Sequence, residues 1–321
     1  AIAKLEVYSV FYVRVEYEWA EVPPEEPEVT TSYAERLKQT PEFQHFAEDF
    51  HKETESFKNS LNNAMEDISN LDVEQLIQNS IALLSQDNHR INVFDMLHNM
   101  RELDDSTYVH CMNVGLICNL FATWLRMDEE DIKTATLCGL LHDIGKLKMP
   151  EDILKKPSKL TEEEFEVIKT HPREGHNLLL DSPVNDHVKN AALMHHERCD
   201  GSGYPMQLTS EQIDPFAKMV AIADVYDAMT SARVYRGPLC PFMVIEAFEQ
   251  EGFLKYDAEY ILTFLRNIVN TYMLHRVRLS DGREGEIVFI NPDKLSKPTI
   301  KSGSQYINLS NERNLSIVAI I

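Results

Sequence analysis

The middle of this 321-residue chain carries a helical repeat of apolar residues, and this repeat limits the fold more than any other feature of the sequence. From Leu71 to about His275, apolar residues recur with a period of about 3.6, the spacing of an α-helix that buries one face. Examples are Leu76, Ile77, Ile81 and Leu84, and further along Val109, Met112, Leu116, Leu120 and Trp124. The sequence therefore predicts an all-helical domain over residues 71–275.

Three different patterns precede this domain. Residues 5–19, LEVYSVFYVRVEYEW, alternate and are rich in β-branched and aromatic side chains, which predicts a strand. Residues 21–28, EVPPEEPE, form an acidic, proline-rich linker. A polar helix is predicted from about Ser32 to Asp67, with apolar positions at Phe43, Phe46, Phe50 and Phe57. We expect residues 1–70 to comprise this strand, linker and helical arm, and the helical arm to pack on the domain or to contact a second copy in a homodimer.

After Arg276 the apolar period changes to that of a strand. Residues 276–290, RVRLSDGREGEIVFI, place Asp281-Gly282 between two alternating stretches, which is a strong hairpin signal. Residues 306–321, YINLSNERNLSIVAII, add further strand character. The prediction is a mainly α protein, in which a small β appendage over residues 276–321 follows the helical bundle.

Charge and cysteine content narrow the class of function. A formal net charge of −21 and a pI near 4.9 argue against binding of long nucleic acid, and a small anionic ligand would need positive charge or metal concentrated locally. No apolar stretch approaches the roughly 18 to 20 residues of a membrane span, and no signal-peptide pattern opens the chain. The five cysteines are odd in number and lack CxxC spacing. We expect a cytoplasmic chain with no membrane span.

One candidate site follows an apolar run in residues 137–150, LCGLLHDIGKLKMP. His142 and Asp143 are adjacent there, Gly145 can break the helix, and Lys146 lies just beyond. A capped helix end with a solvated pair is the alternative interpretation.

A second candidate lies in residues 219–236, MVAIADVYDAMTSARVYR. Asp224 interrupts a nearly continuous apolar helix pattern, and a buried carboxylate needs a hydrogen bond, an ion pair or a metal. Asp227 lies three residues later on the same face. A salt bridge in the core would also explain this carboxylate.

Several histidines have the same ambiguity. His110 shares a helix face with apolar residues, so a satisfied core histidine is its simplest interpretation. His171 stands before a proline, and His176 competes with it. His195 and His196 are adjacent at the end of an apolar run, and neighbours point about 100° apart in a helix, so both reach one target only near a helix end.

Taken together, these candidates favour a different interpretation. They recur at intervals of about 25 to 30 residues, and in an antiparallel bundle this spacing brings successive helices back to one level of the core. The set comprises His110, His142, Asp143, His171, His195, His196 and Asp224. These nitrogen and oxygen ligands, without a thiolate, exceed the needs of one zinc and suit two divalent first-row metals bridged by a carboxylate. Iron is favoured first and manganese next, with zinc, cobalt and nickel as alternatives.

Three separated motifs resemble the HD-GYP family, a branch of the HD metal-dependent phosphohydrolases. They are HDIGK at residues 142–146, HHERCDGSGYP at 195–205 and DVYDAMTSARVYR at 224–236. They stand in the family's order, and the match runs from about Asp105 to Phe264. The resemblance implies a helical HD-type bundle and hydrolysis of the bacterial second messenger cyclic di-GMP.

The resemblance also implies residue roles. All seven residues of the set become metal ligands, with Asp143 bridging, and Asp143 and Lys146 are the expected catalytic residues. The residues expected to contact the substrate are Lys146, Arg233 and Arg236 at the phosphates, Gly203 and Tyr204 at the nucleotide, and Asp227.

The expected reaction is in-line attack by a metal-bridging hydroxide, which opens cyclic di-GMP to linear pGpG, with further cleavage to GMP left open. Two alternatives remain: a receptor that binds a cyclic dinucleotide without turnover, and a hydrolase of another one such as cyclic GMP-AMP. One position departs from the pattern. Some members hold a third metal with a glutamate four residues before the first histidine, where this chain has Ser106, and Asp105 points about 100° away. Two metals per chain are therefore predicted.

Overall fold

The computed structural model describes residues 33–85, 93–100, 107–156, 158–230 and 239–321. The strand predicted at residues 5–19 and the linker at residues 21–28 lie outside these ranges. The predicted domain boundaries after residues 70 and 275 remain predictions.

Most of the described chain is helical, which confirms the prediction of a mainly α fold. The α-helices are α1 Tyr33–Lys38, α2 Pro41–Ala64, α3 Val73–Ser85, α4 Val93–Met100, α5 Thr107–Trp124, α6 Glu129–Leu141, α7 Glu151–Leu154, α8 Glu162–Ile168, α9 His171–Leu179, α10 Asp186–Met194, α11 Pro215–Thr230, α12 Pro241–Ala247, α13 Phe253–Lys255 and α14 Ala258–Thr271. Short 3₁₀ turns lie at Ile68–Asn70, Ile144–Lys148, Ser210–Gln212 and Leu309–Asn311, and a π-helical turn at Phe248–Gly252. Among the described helices, none has both the length and the apolar character that crossing a bilayer requires.

The predicted polar helix before the bundle is two helices rather than one. Thr40 has extended backbone angles, φ −72° and ψ 141°, because the proline at position 41 disfavours a helical conformation in the residue before it. The Thr40 side chain caps α2 by accepting a hydrogen bond from the Phe43 amide. The buried face of α2 includes Phe43, Phe46, Phe50 and Phe57, which belong to the same apolar core as the bundle.

Helices α5, α6, α9, α10 and α11 surround the part of the core that matters for function. Helix α5 places Val114, Ile117 and Phe121 in this core, where each is fully buried. These side chains lie one, two and three turns from His110, as their spacing predicted. The face of α5 that carries His110 is therefore turned toward the core.

The end of the chain forms the predicted β appendage, a five-stranded antiparallel sheet in the order β4-β3-β2-β1-β5. Its strands are β1 Arg276–Leu279, β2 Glu284–Phe289, β3 Thr299–Ser302, β4 Gln305–Asn308 and β5 Ile317–Ile320. The predicted turn joins β1 to β2, and Gly282 there has a φ of +90°, which favours glycine. One face buries Val277, Leu279, Ile287, Ile300 and Ile317.

The Glu249 carboxylate fastens the sheet to the helical part. It lies in the π-helical turn and accepts hydrogen bonds from the Leu295 amide at 2.6 Å, the Ser296 amide at 3.3 Å and the Ser296 hydroxyl. Next to it, the Lys297 ammonium pairs with Glu246 at 3.0 Å. The loop between β2 and β3 is thus held by charge-assisted hydrogen bonds.

A second carboxylate joins three distant segments. Asp95 of α4 accepts hydrogen bonds from the Tyr33 hydroxyl and from Nε2 of His275, each at 2.9 Å. The side chain of Asp95 is 5% exposed and that of His275 is 19% exposed. Burial alone would lower the pKa of His275, but the hydrogen bond and charge of Asp95 outweigh burial, and the pKa is raised.

The interaction of His275 with Asp95 should make the stability of the fold depend on pH. Since the pKa of His275 in the folded chain lies above its ordinary value of 6.5, the ion pair stabilises fully below pH 6.5 and its contribution disappears as pH rises through the raised value. We expect His275→Gln to lower the free energy of unfolding by about 1 kcal/mol below pH 6.5, and by less at pH values above the raised pKa of His275. Urea denaturation of both proteins at pH values on either side of this pKa measures the difference.

His51→Gln is the matched control because His51 is exposed on α2. Its effect on the free energy of unfolding should stay within about 0.5 kcal/mol at every pH. A loss for His275→Gln that is independent of pH, or that grows with pH, would contradict the assignment.

Candidate metal centre

The residues predicted as metal ligands lie in one buried cluster around the Asp143 carboxylate. Nε2 of four imidazoles lies near its oxygens, at 3.6 Å for His110, 3.4 Å for His142, 3.2 Å for His171 and 3.6 Å for His195. Asp224 completes the cluster, 3.2 Å from Nε2 of His110 and 3.9 Å from Nδ1 of His196. The structure thus brings all seven residues together.

Each ligand candidate stands at or near a helix end or inside a buried helix. His110 lies in the first turn of α5, His142 directly follows α6, and His171 begins α9. Helix α10 ends at Met194, so His195 and His196 both turn toward the cluster, as their adjacency predicted. Asp224 lies within α11, where its backbone is fixed.

A close backbone contact at Gly145 positions His171 opposite Asp143. A Cβ at Gly145 would lie 2.0 Å from the His171 carbonyl oxygen and 2.5 Å from the Gly175 amide nitrogen. Only glycine allows the Ile144–Lys148 turn to approach the start of α9 so closely. The glycine of the HDIGK segment therefore serves helix packing as well as ending the helix.

Main-chain carbonyls orient three of the imidazoles. Nδ1 of His142 lies 2.7 Å from the Gly139 carbonyl oxygen, Nδ1 of His171 lies 2.7 Å from that of Ile168, and Nδ1 of His195 lies 3.0 Å from that of Ala191. A carbonyl only accepts, so Nδ1 carries the proton in each ring. Each Nε2 therefore presents a lone pair to the cluster, as a metal ligand must.

The cluster leaves buried polar atoms without a hydrogen-bond partner. Among the described residues, Nε2 of His142 and Oδ1 of Asp143 are two such atoms, and leaving them unsatisfied is costly. Two groups of atoms within 4.8 Å of one another could hold a metal ion and both include Asp143: one with His110 and His142, the other with His171, His195 and His196. Neither contains His176. The donor set fits divalent cations at two positions that share one carboxylate.

The cluster keeps its carboxylates ionised and part of its imidazoles neutral. Burial alone would raise the pKa of Asp143, but the charge of the Lys146 ammonium holds it well below its usual value. Burial lowers the pKa of His195 to about 4 and that of His196 well below its usual range. At neutral pH these two rings are neutral and can donate lone pairs.

His110 behaves differently because two carboxylates contact it. Burial would lower its pKa, but hydrogen bonds to Asp224 and Asp227 outweigh burial and raise the pKa to about 10. Oδ2 of Asp227 lies 2.8 Å from Nδ1 of His110, and the Asp227 side chain is 1% exposed. Asp227 thus lies behind His110 and orients it. Its predicted role as a substrate contact remains a prediction.

Lys146 is the predicted phosphate-binding side chain that the structure describes, and it lies beside the metal centre. Its ammonium donates a hydrogen bond to Oδ2 of Asp143 at 2.5 Å, and its side chain is 25% exposed. Arg233 and Arg236 lie outside the described residues, as do Ser106 and Asp105. Their predicted roles remain predictions.

The loop with Gly203 and Tyr204 folds against the centre. The Tyr204 ring stacks on His196, with centroids 4.7 Å apart and planes at 28°. Gly203 lies so close to the chain at Glu197 that a Cβ there would lie 2.4 Å from the Glu197 Cα. Tyr204 thus lies beside His196, and Gly203 allows the close approach of this loop to Glu197. The predicted role of both residues at the nucleotide remains a prediction.

Glu197 is a residue whose role sequence reasoning missed. Its carboxylate accepts hydrogen bonds from the Met206 amide at 2.6 Å and the Leu208 amide at 2.9 Å, and the residue is 2% exposed. It therefore clamps the loop after Tyr204 to the end of α10. The only signal in the sequence is an acidic residue directly after the histidine pair.

The comparisons agree with this geometry. The family model described as HD domain matches residues 72–259. A cyclic di-GMP phosphodiesterase of Pseudomonas aeruginosa is 36% identical over 212 residues, 65% of this chain and 51% of that protein. A 3'3'-cGAMP-specific phosphodiesterase of Vibrio cholerae is 38% identical over 169 residues, 52% of this chain and 39% of that protein. The chain spans about half the length, or less, of these curated relatives.

A solved structure with a related fold supports the helical architecture. A HDG"Y"P protein of Bdellovibrio bacteriovorus aligns with a TM-score of 0.54 and 18% sequence identity, over 68% of this chain and 70% of that chain. At this identity the likeness concerns the fold alone.

Replacement of Glu197 tests the clamp on the loop. Glu197→Gln keeps the shape but turns an amide NH₂ toward one of the two backbone N–H groups, so we expect the free energy of unfolding to fall by about 1 to 3 kcal/mol. Urea denaturation measures this loss. The control is Glu211→Gln, an exposed residue of the nearby Ser210–Gln212 turn, for which the change should stay below about 0.5 kcal/mol. Equal effects of the two variants would show that the clamp contributes nothing.

Proposed function

Because the chain belongs to the HD domain family, we propose that it is a metal-dependent phosphodiesterase that hydrolyses cyclic di-GMP to linear pGpG, with GMP as the product of a second cleavage. One observation carries the proposal: seven nitrogen and oxygen ligand candidates, Asp143 among them, meet in one buried cluster. The name of the relative from Pseudomonas aeruginosa supports this substrate.

We propose that His110, His142, His171, His195, His196, Asp143 and Asp224 hold two divalent cations, with Asp143 shared between them. Such a pair supplies a hydroxide nucleophile at neutral pH and stabilises negative charge on the phosphoryl oxygens. A set of imidazole and carboxylate ligands favours iron first and manganese next, with zinc, cobalt and nickel as alternatives.

Residues around the cations would bind and orient the phosphate. Burial alone would lower the pKa of Lys146, but the Asp143 charge raises it, so the ammonium stays protonated and can donate to a phosphoryl oxygen. Asp227 holds His110 in one orientation. We further propose Arg233 and Arg236 as phosphate contacts on the basis of the sequence motif alone.

A second substrate is supported by one relative, the 3'3'-cGAMP-specific phosphodiesterase of Vibrio cholerae. A panel of cyclic dinucleotides, incubated with protein loaded with iron, manganese or zinc under reducing anaerobic conditions, decides between the substrates by product analysis. Linear pGpG or GMP from cyclic di-GMP supports the proposal. Preferential cleavage of cyclic GMP-AMP selects the other hydrolase, and tight binding without any product selects a receptor.

We also propose a cytoplasmic location, because a nucleotide messenger is present there. The described cysteines are all free thiols, which is consistent with this location.

A homodimer through the N-terminal arm is a further proposal. The aromatic face of α2 lies in the core of its own chain, so such a contact would use another surface of the arm.

Asp143→Asn tests the shared ligand. Loss of the central charge should lower metal content and reduce turnover of cyclic di-GMP by more than about 100-fold. Replacement of a residue that only supports a ligand costs up to about 100-fold, and a direct ligand should cost more. The control is Asp152→Asn on the exposed surface of α7, which should retain full metal content and turnover. Substantial activity of a folded, metal-analysed Asp143→Asn protein would end the proposal of a shared ligand.

The number of metal ions per chain is a separate test. With Ser106 at the position of the additional glutamate, a third cation would lack an anionic ligand, and cations held by neutral imidazoles are poorly compensated in a low-dielectric core. We expect two ions per chain by elemental analysis after loading with excess iron or manganese. A reproducible value near three would be incompatible with this expectation and would point to Asp105.

A further inference from the structure

An aromatic and cationic surface lies next to the loop of Tyr204. The ammonium of Lys169 stands 5.6 Å from the centroid of the Tyr204 ring and 5.7 Å from that of the Phe165 ring. Phe165 is 47% exposed, and the side chain of Lys169 is 28% exposed. A single exposed phenylalanine is ordinary, but Phe165 shares the ammonium of Lys169 with the ring of Tyr204.

This surface is continuous with the metal centre. Tyr204 stacks on His196, which belongs to the cluster, and Lys169 lies over the same Tyr204 ring. The tyrosine is thus engaged by groups of the protein, and Phe165 is the aromatic ring beyond it that faces solvent.

Helix α8 carries Phe165, and Lys169 is the residue that caps its C-terminal end. The two residues are four apart, so they share one face of the helix end. Thr161 and Glu164 form a capping box at the start of α8, and Lys156 pairs with Glu164 at 2.5 Å. His171 follows two residues after Lys169, which connects this face directly to a ligand candidate.

The charges around Phe165 favour a base over a phosphate. Glu162, Glu163 and Glu166 are exposed on the same short helix, and Glu166 pairs with Lys169 at 2.7 Å. A phosphate would be repelled by these carboxylates, whereas the face of a neutral base would not. An aromatic ring stacks on bases, and a lysine donates hydrogen bonds to O6 and N7 of guanine.

We propose that Phe165 and Lys169 bind one guanine base of the cyclic dinucleotide while its scissile phosphate lies at the metal centre. This inference rests on the proposed function and adds the part of the site that recognises the base.

Phe165→Ala, studied in the metal-loaded full chain, tests the stacking. The Kd and the KM for cyclic di-GMP should rise about 5- to 150-fold, the range of one lost base stack, while kcat and metal content stay unchanged. Inhibition by inorganic phosphate, which carries no base, should also be unchanged. Phe165→Trp keeps an aromatic face and should bind cyclic di-GMP within about threefold of the wild type.

Phe289→Ala is the matched control, since Phe289 is 56% exposed on β2 of the sheet, and it should leave Kd and KM unchanged. Lys169→Met should reduce the ratio of the Kd for cyclic di-AMP to the Kd for cyclic di-GMP about fivefold, because adenine lacks the O6 acceptor that Lys169 would bind. Wild-type affinity of Phe165→Ala for cyclic di-GMP would overturn the inference. So would a loss of inhibition by phosphate as large as the loss of affinity for cyclic di-GMP, because it would indicate a general disturbance of the site.

The binding measurement separates this inference from the proposed function. If wild-type protein binds cyclic di-GMP without cleaving it, the phosphodiesterase proposal fails, and weaker binding by Phe165→Ala still supports the base site. If wild-type protein neither binds nor cleaves cyclic di-GMP, both are overturned.

Discussion

The buried negative charge of Asp143 is the constraint on which the centre depends. Its side chain is 2% exposed, and an ionised carboxylate in such a place is unfavourable unless cations or polar groups surround it. Four imidazoles and one ammonium lie within 3.6 Å of its oxygens. They come from α5, from the segment that follows α6, from the start of α9 and from the end of α10, so the requirement of one carboxylate fixes how these helices meet.

The sequence was informative where a signal is local. The 3.6 period predicted the bundle, Asp281-Gly282 predicted the hairpin, and the adjacency of His195 and His196 predicted a helix end, because each depends on neighbouring residues. The regular spacing of the ligand candidates added long-range information, since a bundle returns its helices to one level. Even so, the break before Pro41 within the predicted arm helix was missed, although the proline itself was the signal.

Other features depend on tertiary contacts that no local pattern encodes. Glu197 reaches amides nine and eleven residues away, and Asp227 meets a histidine 117 residues earlier in the chain. The sheet is likewise held by carboxylates at its junction with the helices: the partly buried Glu249 binds the loop after β2, and the buried Asp95 binds His275 just before β1. Acidic residues of this kind look like ordinary surface residues in the sequence, and only the fold shows that they are enclosed.

The hydrogen bonds behind the imidazoles make the two halves of the centre unequal. His110 is backed by the carboxylate of Asp227, whereas His171 and His195 are backed by neutral main-chain carbonyls. A carboxylate raises the basicity of an imidazole, so the rings differ in the electron density they donate. Although Asp143 belongs to both groups of ligand candidates, the two positions are therefore chemically distinct, and a cation at one is not in the same ligand field as a cation at the other.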